Sequence, residues 1–111
     1  EIALKKTGVG FLHQSADMTV TLFGNLPVRL HRPGALVPDR GDLFGGDDDV
    51  RLTALKRAVL REQQPTATEV EVHYANEVVT YRVEIEPVAA GDGGGLLTVI
   101  TDISDTLHRE R

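Results

Sequence analysis

A period of two dominates the second half of the chain. Thr68, Val70, Val72 and Tyr74 alternate with Glu69, Glu71 and His73; Val79, Tyr81, Val83 and Ile85 alternate with Thr80, Arg82, Glu84 and Glu86. Successive side chains of a strand point to opposite faces, so each run predicts a strand with one buried and one wet face. Ala75-Asn76-Glu77 makes a tight link, which predicts an antiparallel pair. Residues 96–103, Leu-Leu-Thr-Val-Ile-Thr-Asp-Ile, are apolar on both faces. They predict a central strand, or one whose outer face is covered by another helix or subunit. Gly91-Asp92-Gly93-Gly94-Gly95 before them reads as a loose, flexible hairpin connection.

Two further strands are predicted near the start. In residues 9–14, Val9, Phe11 and His13 share one face and Gly10, Leu12 and Gln14 the other. Ser15-Ala16-Asp17 is a turn, and the β-branched run 18–23 is the returning strand of a hairpin. Between them and the later strands the period changes to that of a helix over residues 47–64. Leu52, Leu55 and Val59, with neighbouring Ala58, form its buried stripe. Asp47, Asp48 and Asp49 open it and Lys56, Arg57 and Arg61 lie towards its end, both complementing the helix dipole. Pro65 disfavours a helical Gln64 and stops it.

The remainder is less regular. Pro27, Pro33 and Pro38 break up residues 24–46 into short helical turns and loops, anchored by Leu36-Val37 and Leu43-Phe44. One short helix over 25–30 would have Asn25 as its cap. Residues 1–7 form a short amphipathic helix in which Ile2 and Leu4 give little apolar surface. Alone it is too short to be stable, so it must lean on the sheet or a partner chain. After residue 103 the pattern turns helical and charged. The order predicts an α+β domain: a five-stranded antiparallel sheet with helices on one face, a short N-terminal helix and an outgoing C-terminal helix.

Composition narrows the function classes. At 111 residues the chain fits one domain with a real core. A net charge of −5 argues against a nucleic-acid surface and against docking on anionic lipid. There is no cysteine, which excludes disulfides, thiolate metal sites, cysteine nucleophiles and cysteinyl–flavin photochemistry. No apolar run nears the roughly 20 residues of a membrane span, and no signal peptide is visible. Glu1 in place of Met predicts a piece of a longer protein.

No catalytic motif competes for attention. His13 and His73 sit in strands without a second His or Cys at i+2 or i+4, so packing or surface roles are expected. His31 falls in the irregular segment and reads as a loop residue. The three aspartates at the helix start complement the dipole more simply than they bind a cation. The Gly91–Gly95 run lacks the Lys-Ser/Thr ending of a phosphate loop. Ser15, Asp17 and His13 are near in sequence, but Ser15 and Asp17 belong to the turn after the strand, so no triad is predicted.

This order of elements, with these residues, resembles a PAS domain of bacterial sensor histidine kinases. Val99-Ile100-Thr101-Asp102-Ile103-Ser104-Asp105 is similar to the Asp-Ile-Thr signature that closes the last PAS strand and opens the linker helix, with Ser104 where the family usually has Thr. Gly8-Val9-Gly10-Phe11 resembles the first strand, Asn25 the Asn after the second, and 39–44 the turn before the long helix. The proline-rich stretch departs from the family's usual helices. The resemblance implies a core over 8–103, flanked by helix 1–7 and the start of a linker helix over 104–111.

It further implies a cytoplasmic sensory module of a two-component signalling protein. Such a module is no enzyme itself, but belongs to a parent kinase that carries an output domain in the same chain. It would bind a small ligand, pair as a homodimer through the first helix and the outer sheet face, or do both, and pass its state on through Asp102, Ile103 and Ser104. Phe11, Leu22, Leu55, Tyr81 and Val99 are the pocket candidates, chosen for apolar character and position. Family haem sites commonly use a His from the long helix; residues 47–64 have none, which argues against haem and leaves the cofactor unknown. His108-Arg109-Glu110-Arg111 does not match a kinase phosphoacceptor motif and reads as solvated linker. Two alternatives remain: a ligand-free dimerisation scaffold, or a small cone-shaped α+β enzyme of the isomerase or dehydratase type. The enzyme would need a carboxylate paired with His13 or Tyr81 in the cavity.

Overall fold

A computed structural model describes residues 9–24, 44, 46–73 and 77–104. The N-terminal helix, the short helix after Asn25 and the outgoing helix beyond Ser104 fall outside these residues. The described elements are β1 (Val9–Gln14), β2 (Val20–Gly24), α1 (Gly46–Glu62), β3 (Thr66–His73), β4 (Val78–Pro87), a 3-10 turn (Ala90–Asp92) and β5 (Leu96–Asp102).

The strands form one antiparallel sheet in the order β2-β1-β5-β4-β3. The two-sided apolar strand β5 is central, the first of the two places its composition allows. Register fixes the faces. Leu12 and Ile85 flank Thr98, and Gly10 and Val83 flank Ile100. On this inner side Leu12, Val70, Val79, Tyr81, Val83, Ile85, Leu96 and Ile100 form one core with Leu52 and Val59 of α1. The other side carries Val9, Phe11 and His13 of β1 opposite Thr101, Val99 and Leu97, with Arg82, Glu84 and Glu86 beyond.

Three local departures from the expected pattern have clear causes. β2 starts at Val20 rather than Met18, because Met18 takes a left-handed φ of 74° inside a turn closed by Ser15 N–H to Thr19 O (2.9 Å). Thr21 is then an extra residue opposite the His13/Gln14 step, a β-bulge. α1 stops at Glu62, before Gln64, because Gln63 turns left-handed at φ 57° while its N–H still bonds Val59 O at 2.8 Å. Finally, the inward stripe of α1 runs Leu52, Lys56, Val59, with Leu55 half-buried beside it. Pattern reading sends a lysine to solvent, yet its four-carbon stem covers apolar surface as well as a leucine does.

The open edge of β3 is covered in part by α1. Arg51 donates to Thr68 Oγ1 (3.2 Å) and to the Glu69 carbonyl (3.1 Å), and pairs with Asp48 at 3.6 Å. A carbonyl engaged this way cannot template another strand. At the helix start Asp49 turns back to accept the Phe44 N–H at 3.1 Å, fixing where the chain enters α1.

Candidate functional site

The exit from the central strand is tied to β4 by backbone and side chain together. The Ile103 N–H donates to Thr80 O (3.0 Å), and the Thr80 N–H donates to Ser104 Oγ (3.0 Å). The Ser104 N–H in turn donates to Asp102 Oδ1 at 2.9 Å. A carboxylate accepting from the amide two residues on is the bond a helix-capping Asp makes. Both backbone groups of Thr80 are thus committed to the segment leaving β5, so its direction is set by the start of β4. Tyr81, the next residue, is buried on the inner face with its ring 5.9 Å from that of Phe44. Tyr81 thus adjoins in sequence the residue that holds Ile103 and Ser104.

The inner face, under α1, holds Tyr81 and, at its margin, half-buried Leu55. Phe11, Leu22 and Val99 lie on the other face: Leu22 opposes His13, Val99 opposes Phe11, and both partners alternate with inward Leu12. The five pocket candidates are therefore split, two inward and three outward, because a one-residue step along a strand reverses the face. The same parity separates inward Tyr81 from outward His13, the two candidates of an enzymatic reading. Four polar side chains are buried that hydropathy did not flag as site residues: Gln14, Lys56, Thr80 and Thr98. Gln14 Nε2 donates to Met18 O at 2.8 Å, bracing the β1–β2 turn. Gln14 alternates in step with Leu12, and Thr98 with Leu96 and Ile100; only their polarity argued against burial.

The outer face is half apolar and half acidic. Val9, Phe11, Leu97 and Val99 are half-buried and Leu22 is 60% exposed. The Phe11 ring lies across Gly24, where an added Cβ would meet Cε1 at 2.5 Å. Glu69, Glu71, Glu84 and Glu86 occupy the β3–β4 half.

At the far end of the sheet, His13 joins three segments. Its Nε2–H donates to the Gly94 carbonyl (2.9 Å), and Nδ1 meets the hydroxyl of bulged Thr21. Gly95 abuts the Gln14–Ser15 backbone beneath it. The neighbouring turn is held by Asp17, whose carboxylate accepts from the Ser15 hydroxyl and the Thr19 N–H (3.0 Å). The Ser15 hydroxyl above all, then the Thr19 amide, lower its pKa from 3.8 to about 2. Among the described residues no three His, Asp or Glu converge as metal ligands, and no helix is long and apolar enough to cross a membrane.

Comparison of the whole fold with solved structures finds a chain described as an RNA-binding Light-Oxygen-Voltage receptor, with a TM-score of 0.70 at 19% identity over 93% of this chain. The fold is PAS-like. The Light-Oxygen-Voltage receptor domain is a member of the PAS family, and the present chain spans 30% of that receptor's length. A C-terminal domain from Streptococcus mutans is also similar, with a TM-score of 0.59 at 16% identity over 96% of this chain and 84% of that one. No family model and no curated protein matches the sequence. Without cysteine, the chain has no thiol with which to form a flavin adduct.

Proposed function

We propose that this PAS-like chain is a cytoplasmic sensory and relay module of a bacterial signalling protein, a two-component sensor histidine kinase. It binds a small ligand on the α1-covered side of the sheet, pairs as a homodimer, and hands its state to an output domain in the same chain. Catalysis belongs to that output domain. The observation that carries this reading is the tie at the strand exit, in which Thr80 holds Ile103 and Ser104 while Asp102 holds the Ser104 amide. Inner-face packing and chain exit meet at consecutive residues of β4, Tyr81 in the core and Thr80 at the tie. The half-buried apolar patch around Phe11, Leu97 and Val99 supports pairing of two copies through the outer face.

Two experiments test the parts separately. In the full-length protein, Ser104→Ala is expected to change autophosphorylation several-fold while ligand binding by the domain persists; unchanged kinase output removes the relay. Light scattering of the 111-residue chain at high concentration is expected to give the mass of two copies, and a persistent monomer removes the pairing.

A further inference from the structure

We propose that His13 is a proton-operated latch: a second proton on its ring turns the Thr21 hydroxyl to the β1 backbone and tightens the glycine loop onto the β1–β2 hairpin. The latch lies at the opposite end of β5 from the exit tie and does not depend on ligand binding or pairing.

Three contacts set the proton positions. The Gly94 carbonyl only accepts, so Nε2, 2.9 Å away, carries a proton whatever the charge of the ring. In the neutral ring Nδ1 is then an acceptor, and the proton between it and Thr21 Oγ1 belongs to the hydroxyl. A hydroxyl has one proton to give. The same Oγ1 lies 3.3 Å from the His13 carbonyl, which the neutral state therefore leaves without that proton. A charged ring reverses the roles. Nδ1 becomes a donor to Thr21 Oγ1, the hydroxyl proton turns to the His13 carbonyl, and two bonds become three. The two made by the ring are then charge-assisted, roughly twice as strong as neutral ones. The added bond crosses the β-bulge, where the β1–β2 ladder is interrupted. The strengthened bond holds Gly94, the middle one of three successive left-handed glycines.

The charged groups around the ring are carboxylates. Its row on the outer face runs from Leu22 on β2 through Leu97 on β5 to Glu86 on β4. The next row carries Phe11, Val99 and Glu84. The turn after β1 contains Asp17, and the glycine loop contains Asp92. No Lys or Arg belongs to these two rows, the turn or the loop; Arg82 stands one row further on, opposite Thr101. The helix α1 packs on the other side of the sheet.

The test is amide hydrogen exchange followed by NMR on the 111-residue chain at about pH 5.5 and about pH 8, either side of the range in which imidazole changes charge. Rates are divided by the intrinsic rate at each pH. The readouts are the Gly93 and Gly94 N–H groups, which donate to Ala90 O (3.2 Å) and Ala89 O (3.0 Å). Their protection is expected to be several-fold higher at the lower pH. The unfolded ring has none of these partners, so the tightening is present where the ring is charged and fades as the pH rises through that range. Asp17, held at about 2, stays ionised throughout and adds no change. His13→Gln keeps a donor for Gly94 but gains no proton, and should flatten the difference. Thr21→Val keeps the branched shape without the hydroxyl, and should shrink it. Equal protection at both pH values in the unaltered chain overturns the latch, as does a difference at Gly93 and Gly94 that survives His13→Gln. So do ring nitrogen shifts at pH 8 that place the single proton on Nδ1. The first and last of these are read without any variant having to fold.

Discussion

Gly95 offers the sharpest test of how the two ends of this chain are joined. Its φ of +80° is one that residues with a Cβ rarely adopt, and its Cα sits against the β1 backbone. A Cβ there would lie 3.0 Å from Ser15 Cα and 3.1 Å from the Gln14 carbonyl carbon, and closer still to the carbonyl oxygen. Side-chain rotation cannot relieve a clash with backbone. Relief requires opening the last pair of the β1–β5 ladder, Gln14 opposite Leu96. For Gly95→Ala the left-handed conformation costs about 1–2 kcal/mol. Forced displacement of a packed segment adds about 1–3 kcal/mol. Gly94 is the internal control, because its φ is +70° but nothing lies within 4 Å of an added Cβ. Gly94→Ala should therefore cost only the conformational part. Thermal unfolding followed by circular dichroism reads the difference, at about 4–8 °C per kcal/mol for a domain of this size. Equal melting temperatures for the two variants would refute the steric argument and the contact between the glycine loop and β1.

Other expectations follow from the same geometry. Leu12→Ala, at a fully buried position in the centre of the core, should cost about 2–5 kcal/mol in urea unfolding. Ser104→Ala strips the acceptor from the Thr80 N–H and should cost about 1 kcal/mol and speed hydrogen exchange at that amide, whereas Ser104→Thr should restore both. The Asp17 carboxylate titrates below its ordinary value, so its contribution is complete above about pH 4 and fades as the pH falls towards about 2. Stability measured down that range should decline less steeply in Asp17→Asn than in the parent chain.

Period alone placed the strands and the long helix of this chain to within about two residues, because alternation and capping are local properties. Val79, Tyr81, Val83 and Ile85 read as inward and are inward; β5 read as central or covered on its outer face, and it is central. Hydropathy misled where one residue serves two purposes. Lys56 was read only as a charge complementing the end of the helix dipole, and it lies buried in the core. Phe11, Leu22 and Val99 were grouped with Tyr81 because all are apolar, but strand parity puts them on the opposite face.

What the order of residues determined by itself is the set of elements, the alternation along each strand and the helix-opening motif after β5. What tertiary structure alone decided is which strands adjoin, that β1 and β4 flank β5, and that Thr80 binds both Ile103 and Ser104 across a gap of more than twenty positions. The physical reason is range. Propensity and periodicity act between near neighbours along the chain, whereas sheet order and the tie at the exit arise only when distant backbone donors and acceptors must find partners in one shared core.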